Sequence, residues 1–431
     1  MNTKFQAPKG TQDILPNQTE IWQKIELIAH KICKNFNFNE IRIPTFENEN
    51  LFNHSVGSST DVVKKEMFKF TDLAGRPLAL RPEGTACVAR AILEHGLMNE
   101  PMPLKFFYLI NCFRNERPQA GRFKEFHQFG LELFGSTSTL TEIEIITLIN
   151  QFFNKLKIKN LNLKINSIGC TQCRKIYKQK LIKFFQDKTK HLCNNCITRL
   201  KKNPLRILDC KNTQCCHITQ NAPKIVDDML CTECEKHFEQ VCNMLTYLNI
   251  NFKIDPLIVR GLDYYNRTVF EFQSNELGAQ STICGGGRYD SLIETISTKN
   301  SLPAVGCAVG LERLIMLLQA QNNPITQITN LCCLFIGNFD TTTQISMSLT
   351  LKLRNLNLNA ECNLINRSVK AQIKYASKIN AQFACIIGEN EINKDSVQIK
   401  NMTSKQTYEL KLTNFVNEFI TILKNTKITL P

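Results

Sequence analysis

The sequence predicts an α+β fold in which a domain built on an antiparallel sheet contains an insertion and is followed by a small α/β domain. Two apolar runs, residues 104–113 and 126–134, flank a polar turn and predict an antiparallel hairpin. A basic, cysteine-rich segment at about residues 170–250 separates this hairpin from later sheet-like runs. We therefore place the first domain at residues 1–325, with the insertion inside it, and the second at residues 331–431.

The first domain begins with an amphipathic helix over residues 19–36 and leads to the hairpin. The tip of the hairpin, residues 112–122, is rich in Arg, Glu and Gln between its apolar strands. Such a tip can hold a triphosphate on one side and offer a loop to RNA on the other.

An arginine, a carboxylate and two phenols surround one glycine in residues 258–265, which read Ile-Val-Arg-Gly-Leu-Asp-Tyr-Tyr. A buried strand would be apolar, and a solvated loop would rarely place two adjacent tyrosines after Arg-Gly. The run therefore predicts the wall of a binding site. For Asp263 alone, a role as a helix cap is the simpler interpretation.

Three other runs have unusual composition: residues 81–85 (Arg-Pro-Glu-Gly-Thr), residues 285–290 (Gly-Gly-Gly-Arg-Tyr-Asp) and residues 303–314. In the glycine run, we expect the chain to approach a ligand so closely that only Gly fits. Each run alone has a simpler interpretation, namely a loop with a solvated ion pair, an ordinary turn and a strand-to-helix junction. Their joint occurrence in one chain argues against coincidence.

In this order the runs resemble those of the histidyl-tRNA synthetases, which are class II aminoacyl-tRNA synthetases. Residues 258–265 and 285–290 are similar to the two histidine-specific runs of the family. Residues 112–122 are similar to its motif 2, residues 303–314 to its motif 3, and residues 81–85 to its amino-acid loop. The resemblance extends over almost the whole chain.

Three single positions qualify this resemblance. Pro44 matches the short motif 1 that the family uses at its dimer interface, so a homodimer is expected. Asn115 stands where the family usually has His, and Cys307 where it commonly has Phe. We expect the first change to be tolerated, because Arg114 and Glu116 beside it carry the chemistry.

The resemblance implies a reaction in two steps. Histidine and ATP, with Mg²⁺ bridging the β and γ phosphates, give histidyl-adenylate and pyrophosphate. The histidyl group then moves to the 3′ end of histidine tRNA. The catalytic residues implied are Arg114 and Arg260, which would flank the α-phosphate, because arginine stays charged and offers a planar fork to phosphate oxygens.

The resemblance also implies binding residues for each substrate. For ATP these are Arg114, Glu116, Arg260 and Arg313. For histidine they are Glu83, Gly84, Thr85, Gln128, Glu132, Tyr264, Tyr265 and Tyr289, with Glu132 and Tyr265 on the imidazole nitrogens. For tRNA they are Arg117, Gln119 and Arg122 in the motif 2 loop and Arg367 in the second domain.

The net charge of +15 lies mainly outside the region that contains the motifs. Residues 151–250 contain 18 Lys and Arg against 7 Asp and Glu, and residues 331–431 contain 12 against 7. Such a distribution suits a protein whose appended parts bind a polyanion. The alternative is compositional drift in a chain rich in Asn, Lys and Ile. The tRNA implied by the motifs favours the first interpretation.

The cellular environment is predicted from what the sequence lacks. It has no run of 18 apolar residues, and its first six residues have no apolar signal core, so we expect a cytoplasmic protein without a membrane partner. Its 19 cysteines therefore predict reduced thiols or metal ligands and not a disulfide framework.

Eight of these cysteines form pairs in the insertion with spacings typical of tetrahedral zinc: Cys170 and Cys173, Cys193 and Cys196, Cys210 and Cys215, and Cys231 and Cys234. Four pairs would make two sites of four thiolates. The segment is short of apolar residues for a core, so structural zinc could supply its folding energy. Against zinc, the chemistry of the family does not need it, and both interpretations stay open.

The region after residue 330 alternates strand and helix signals, which predicts a small α/β domain. The polar stretch 319–330 before it is typical of a linker. This domain resembles the anticodon-binding domain of several class II synthetases. The residues around Arg367 form its expected RNA-facing patch, although a solvated amphipathic helix would have the same pattern.

Two other functions remain as alternatives. One is a catalytically silent paralogue that regulates the first enzyme of histidine biosynthesis. Such proteins typically lack the phosphate-binding arginines and the C-terminal domain, whereas Arg114, Arg260, Arg313 and residues 331–431 are all present here. The other is a class II synthetase for threonine, proline or glycine, against which both histidine-specific runs argue.

Overall fold

An eight-stranded sheet organises the first of two structural units in the computed structural model, which describes residues 5–57, 60–297, 299–326 and 332–426. The units divide between residues 327 and 328. The strands of the first unit are β1 (Asn39–Glu40), β2 (Phe46–Asn48), β3 (Lys69–Thr71), β4 (Pro77–Leu80), β5 (Leu104–Phe113), β6 (Glu125–Phe134), β7 (Leu161–Ser167), β8 (Phe252–Ile254), β9 (Asn266–Ser274), β10 (Thr282–Arg288) and β11 (Ala304–Gly310).

The helices of this unit surround the sheet. They are α1 (Pro16–Asn35), α2 (Glu49–Phe52), α3 (Thr85–Glu94), α4 (Leu140–Lys155), α5 (Thr171–Gln186), α6 (Asn194–Lys202), α7 (Thr213–Gln220), α8 (Ile225–Asp228), α9 (Thr232–Tyr247), α10 (Leu292–Ser297) and α11 (Leu311–Ala320). Across the described residues, no helix is both long enough and apolar enough to span a membrane.

The large sheet has the order β1-β5-β6-β11-β10-β9-β7-β8. Its six central strands are antiparallel, whereas the edge strands β1 and β8 run parallel to their neighbours. A smaller antiparallel sheet has the order β2-β4-β3. The predicted antiparallel hairpin is confirmed as β5 and β6, with Leu104 opposite Phe134.

Apolar cores cover both faces of the large sheet, because its central strands carry apolar side chains in both directions. On one face, Phe107 and Phe129 pack with residues of α1, α4 and α11. On the other face, Tyr108 and Phe134 pack with residues of α3 and α10. The sheet is therefore buried and can hold polar side chains at fixed positions near its centre.

Five helices, α5–α9, form the insertion between the parallel strands β7 and β8. A parallel pair requires a long crossover connection, and this one spans the whole cysteine-rich segment. The buried core of the insertion is small. It consists of Tyr177, Leu181, Phe185, Leu192, Ile207, Leu208, Ala222, Ile225 and Met229 together with five cysteines.

The second unit is a five-stranded mixed sheet with four helices. Its strands are β12 (Cys332–Asn338), β13 (Ala360–Cys362), β14 (Ala381–Ile387), β15 (Ser396–Asn401) and β16 (Thr407–Lys411), in the order β13-β12-β14-β15-β16. Its helices are α12 (Thr343–Asn355), α13 (Val369–Lys378), α14 (Glu389–Lys394) and α15 (Phe415–Asn425). The predicted alternation of strand and helix is confirmed.

Some predicted details of this region were wrong or incomplete. The stretch 319–330 is not a uniform linker, because α11 runs to Ala320 and Pro324–Thr326 forms a helical turn. Residues 327–331 lie outside the described residues. Sequence analysis missed β16, where Leu410 is the only buried residue, and α14, which buries no residue.

Candidate active site

A cleft of about 520 Å³ opens over β6, β11, β10 and β9. It gathers residues that are far apart in the sequence. Ten of the predicted site residues line it: Glu83, Thr85, Arg114, Glu116, Arg122, Gln128, Arg260, Tyr264, Tyr265 and Arg313. Glu132, Tyr289 and Gly84 lie just beneath this surface, where they contact its lining residues.

Arg260 is held on one wall by a carboxylate that sequence analysis missed. Its guanidinium donates to Glu271 Oε1 at 2.7 Å, while Thr282 and Gln273 donate to the other oxygen at 2.7 Å each. Burial alone would raise the pKa of Glu271, but the charge of Arg260 and these hydrogen bonds hold it below its ordinary value. Glu271 therefore stays ionised and orients the arginine.

One donor of Arg260 is buried without a partner. Its Nε is inaccessible to solvent and has no hydrogen-bond partner within the described part of the chain. An unpartnered buried donor is costly. Because the arginine also lines the cleft, its positive charge favours an anionic ligand there.

The glycine run lies against protein atoms, and its first residue, Gly285, also lines the cleft. A Cβ at Gly285 would lie 2.2 Å from a guanidinium nitrogen of Arg260. A Cβ at Gly286 would lie 2.3 Å from the carbonyl oxygen of Gly306 on β11. The run therefore makes room for Arg260 and for close pairing of β10 with β11.

Two further arginines, Arg114 and Arg313, line the same cleft. Arg114 donates from Nε to the carbonyl oxygen of Pro82 at 3.0 Å, and its guanidinium lies 5.2 Å from the centre of the Phe126 ring. Arg313 donates to the carbonyl oxygens of Gly121, at 3.1 Å, and Thr282, at 2.9 Å. Both arginines are thus oriented by backbone oxygens.

The arginines repel one another. Burial, together with the nearby charge of Arg122, lowers the pKa of Arg313 to about 10. Glu116 offsets part of this repulsion through its 2.7 Å ion pair with Arg122. A polyanion would relieve the remainder, so the site has the electrostatic character of a triphosphate pocket.

Three tyrosine rings form the deep end of the cleft. The ring centres of Tyr264 and Tyr265 lie 4.6 Å apart, and those of Tyr264 and Tyr289 lie 5.4 Å apart. Below them, Glu83 precedes α3 and accepts the backbone N–H groups of Thr85 and Ala86 at 2.8 Å each. Such a cage, apolar on its walls and polar at its base, suits a small aromatic ligand with a charged end.

Glu132 lies at the base of this cage and is completely buried. Its carboxylate accepts hydrogen bonds from Thr85 Oγ1 at 2.6 Å and Tyr108 OH at 2.9 Å, and also from Tyr289 OH. Burial raises the pKa of Glu132 to about 8. A Cβ at Gly306 would lie only 1.9 Å from its Oε2, so a glycine is required opposite it.

Two of the simpler interpretations were wrong. Arg81 and Glu83 are not a solvated ion pair, because both are almost fully buried. The guanidinium of Arg81 donates to Asn111 and to the carbonyl oxygens of Ile43 and Pro44 and is structural. Asp263 does not cap a helix but accepts a 3.0 Å hydrogen bond from Asn203 in the insertion.

The predicted tRNA-binding residues are spread over both units. Arg117 and Gln119 are exposed in the loop between β5 and β6, and Gln119 pairs with Arg122 through the backbone. In the second unit, Arg367 donates to Asn363 Oδ1 at 3.1 Å, and its guanidinium lies 4.1 Å from the centre of the Tyr375 ring.

The eight paired cysteines assemble into two sets of four. The first thiol cluster is Cys170, Cys173, Cys231 and Cys234, and the second is Cys193, Cys196, Cys210 and Cys215. All sulfur atoms within a cluster lie within 4.8 Å of one another. A tetrahedral zinc with bonds of about 2.3 Å places its sulfurs about 3.8 Å apart, so both clusters have a suitable size.

Comparisons with known proteins identify the family. A model of histidyl-tRNA synthetases matches residues 10–314, and a model of anticodon-binding domains matches residues 332–422. A histidine–tRNA ligase of Acetivibrio thermocellus is 44% identical over 96% of this chain and 98% of its own length. Another from Caldicellulosiruptor saccharolyticus is 47% identical over 93% and 95%.

A solved structure agrees with these sequence matches. The crystal structure of apo S. aureus histidyl-tRNA synthetase is 32% identical and superposes with a TM-score of 0.80. The match covers 96% of this chain and 99% of the other. The predicted fold class is therefore confirmed, and the chain belongs to the histidyl-tRNA synthetase family.

Proposed function

We propose that this protein activates histidine with ATP and transfers the histidyl group to the 3′ end of histidine tRNA. The observation that carries the proposal is the shared cleft. Arg114, Arg260 and Arg313 face it beside the tyrosine cage above Glu132, so a triphosphate and a small aromatic amino acid fit side by side. The family membership supports the same reaction.

In the first step, the carboxylate of histidine attacks the α-phosphate of ATP in line with the departing pyrophosphate. Both reactants are anions, so catalysis consists mainly of positioning and charge stabilisation. Arg260, fixed by Glu271, and Arg114, fixed by Pro82, act on the α-phosphate from opposite sides. Arg313 and Glu116 act on the terminal phosphates, where Mg²⁺ would neutralise further charge.

Histidine is selected by polar groups that few other amino acids can satisfy. Glu132 accepts three hydroxyl hydrogen bonds, and its carboxylate form has a fourth lone-pair site for an imidazole N–H. Histidine binding would therefore favour loss of the proton that burial favours in the free protein. Tyr265 faces the other ring nitrogen, and Tyr264 and Tyr289 enclose the ring. Glu83, Thr85 and Gln128 hold the amino and carboxylate ends. Such a site rejects ligands that leave its groups unpaired by about 10⁴-fold or more.

The second step requires tRNA contacts from both units. Arg117, Gln119 and Arg122 in the β5–β6 loop contact the acceptor end, and Arg367 and its neighbours in the second unit contact the anticodon arm. The positive charge of the second unit supports this assignment. A homodimer through the region of Pro44 and a cytoplasmic location complete the proposal.

Structural Zn²⁺ is part of the same proposal. Each thiol cluster offers four sulfurs at a size that fits tetrahedral coordination. Backbone N–H groups of Cys231 and Cys193 donate to Cys173 Sγ at 3.1 Å and Cys215 Sγ at 3.3 Å, which would stabilise thiolate charge. All four thiol positions of each site are filled by protein, so the ions would stabilise structure and not bind substrate.

Pyrophosphate exchange into ATP, run with each of the twenty amino acids, tests the activation step. We expect exchange with histidine alone. Exchange with threonine, proline or glycine would refute the assignment of the tyrosine cage and Glu132. Absence of exchange with every amino acid would favour the silent regulatory paralogue instead.

A further inference from the structure

The loop at residues 255–265 carries Arg260, Tyr264 and Tyr265 but contains no strand or helix. Its first half is held by the sheet, because Asn166 on β7 donates to the carbonyl oxygens of Pro256, at 3.2 Å, and Ile258, at 3.0 Å. Beyond Ile258, side chains outside the sheet add to the support that Glu271 on β9 gives to Arg260. The conformation of the part that faces substrate is therefore not fixed by the sheet alone.

Three side chains of the insertion contact the second half of this loop. Arg206 donates to the carbonyl oxygen of Gly261, and Asn203 donates to Asp263 Oδ1 at 3.0 Å. Arg174 donates to the carbonyl oxygen of Tyr265 at 2.9 Å. These bonds immobilise the backbone on both sides of the two tyrosines.

The three side chains lie within or beside the thiol clusters. Arg174 directly follows Cys173 of the first cluster on α5. Asn203 and Arg206 lie in the chain that connects Cys196 to Cys210 of the second cluster. A metal that joins these cysteines would close the connecting segment into a loop with fixed ends, which restricts the positions that its side chains can reach.

Metal would add order to this segment, which otherwise rests on a small core and on ion pairs of Arg199 and Arg206 with Asp61. Helices α6 and α7 contain only 9 and 8 residues, a length at which isolated helices are marginal. Buried cysteines supply five members of the core of the insertion. Without coordination the thiols would contribute only small apolar contacts, so the segment would lose its fixed position.

We propose that Zn²⁺ at the two thiol clusters holds Arg174, Asn203 and Arg206 against the 255–265 loop and thereby sets the histidine pocket. This inference rests on the proposed function. The three side chains are positioning residues, because they touch the loop and not the substrate. The protein would thus be an enzyme whose amino acid activation depends on metal ions that take no part in the reaction.

Metal analysis of the full-length protein, purified without chelator, tests the first part. We expect two zinc ions per chain, and one after either Cys196→Ser or Cys173→Ser. Cys216→Ser is the matched control, because Cys216 neighbours Cys215, lies outside both clusters and donates to the carbonyl oxygen of Cys210. Zinc-free protein, or iron in place of zinc, would overturn the metal assignment.

Steady-state pyrophosphate exchange by Arg206→Ala tests the coupling with both clusters intact. We expect the KM for histidine to rise about tenfold or more, the size of one charge-assisted hydrogen bond, and the KM for ATP to rise less, because Glu271 also holds Arg260. Arg206→Lys should recover part of the loss. The control is Lys201→Ala, an exposed residue on the same segment. Equal kinetics for Arg206→Ala and Lys201→Ala would refute the coupling.

Hydrogen exchange separates this inference from the proposed function. Backbone amides in residues 259–265 should exchange faster in Arg206→Ala and after zinc removal, but not in Lys201→Ala. If the unaltered protein shows no histidine-dependent pyrophosphate exchange, the proposed function fails, and the amide exchange still decides whether the insertion holds the loop. Unchanged protection in Arg206→Ala would overturn the inference.

Discussion

The two kinds of wall in the active-site cleft are supported differently. The strand wall contains Glu132 and Glu271, which lie on the central strands β6 and β9. Pairing with the neighbouring strands fixes their positions. The loop wall contains Arg260, Tyr264 and Tyr265, which lie on the 255–265 loop. Side chains of the insertion hydrogen-bond to the backbone of this loop. The comparison indicates that the acidic groups are set by the fold itself, whereas the arginine and the phenols can be displaced without unfolding the sheet.

The loop wall should show the largest loss of activity. Arg260→Ala removes the charge proposed for the α-phosphate, and we expect histidine-dependent exchange to fall about 10²-fold or more. Glu271 loses its charged partner, so the thermal midpoint should also fall, but the sheet itself should stay folded. Arg76→Ala is the control, since Arg76 is a mostly exposed arginine that forms a surface ion pair. Near-normal exchange in Arg260→Ala would remove Arg260 from the mechanism.

The strand wall should instead affect how the free energy of unfolding changes with pH. Burial raises the pKa of Glu132 to about 8 from an ordinary value of 4.5. Between these values the unfolded chain releases a proton that the folded chain keeps, so the free energy of unfolding falls as pH rises through this window. The slope contributed by Glu132 is at most about 1.4 kcal/mol per pH unit.

Urea unfolding of the unaltered protein and of Glu132→Gln, at pH values from 5 to about 8, measures this contribution. The variant should lose the slope that Glu132 contributes and keep that of Glu83, whose pKa burial also raises. Identical slopes in the two proteins would show that Glu132 ionises normally in the folded state.

Gly306→Ala tests how tightly the strand wall is packed. The added methyl would lie 1.9 Å from Glu132 Oε2 and 2.5 Å from the carbonyl oxygen of Leu131. We expect a loss of about 1–3 kcal/mol in the free energy of unfolding, as for other overpacked sites. The KM for histidine should rise about tenfold, because Glu132 must move.

Gly310→Ala on the same strand is the control for stability, because no neighbouring heavy atom lies within 4 Å of a Cβ there. Similar stabilities for the two alanine variants would mean that β11 shifts to accommodate the methyl group. In that case the strand wall would be as adaptable as the loop wall.

The same comparison explains which site residues the sequence could predict. Arg260, Tyr264 and Tyr265 were found because a loop has no packing reason to place an arginine and two tyrosines around a glycine. Glu271 and Tyr108 were missed, because each lies in an ordinary-looking strand. Their importance depends on register and on long-range contacts, through which Glu271 meets Arg260 and Tyr108 meets Glu132.

The fold, like the site, was predicted only in part from the sequence. Long apolar strands such as β5 and β6 have a clear pattern, and their pairing follows from the short connection between them. The edge strand β16 has one buried residue, so its alternation is weak. The grouping of the eight cysteines into two sets of four depends on how α5–α9 pack, which cysteine spacing does not determine.

Glu271→Gln tests the contact between the strand wall and the loop wall. Of these variants it should have the smallest effect on histidine-dependent exchange. Gln keeps the shape and can still accept from Arg260 through its oxygen, but its amide nitrogen cannot accept from Thr282 and Gln273 as Glu271 Oε2 does. The arginine therefore loses the charge and part of the network that hold it to β9. We expect a fall of about threefold to tenfold in histidine-dependent exchange, against no change for the exposed Glu294→Gln. A loss as large as that of Arg260→Ala would mean that β9, and not the insertion, is the main support of the loop wall.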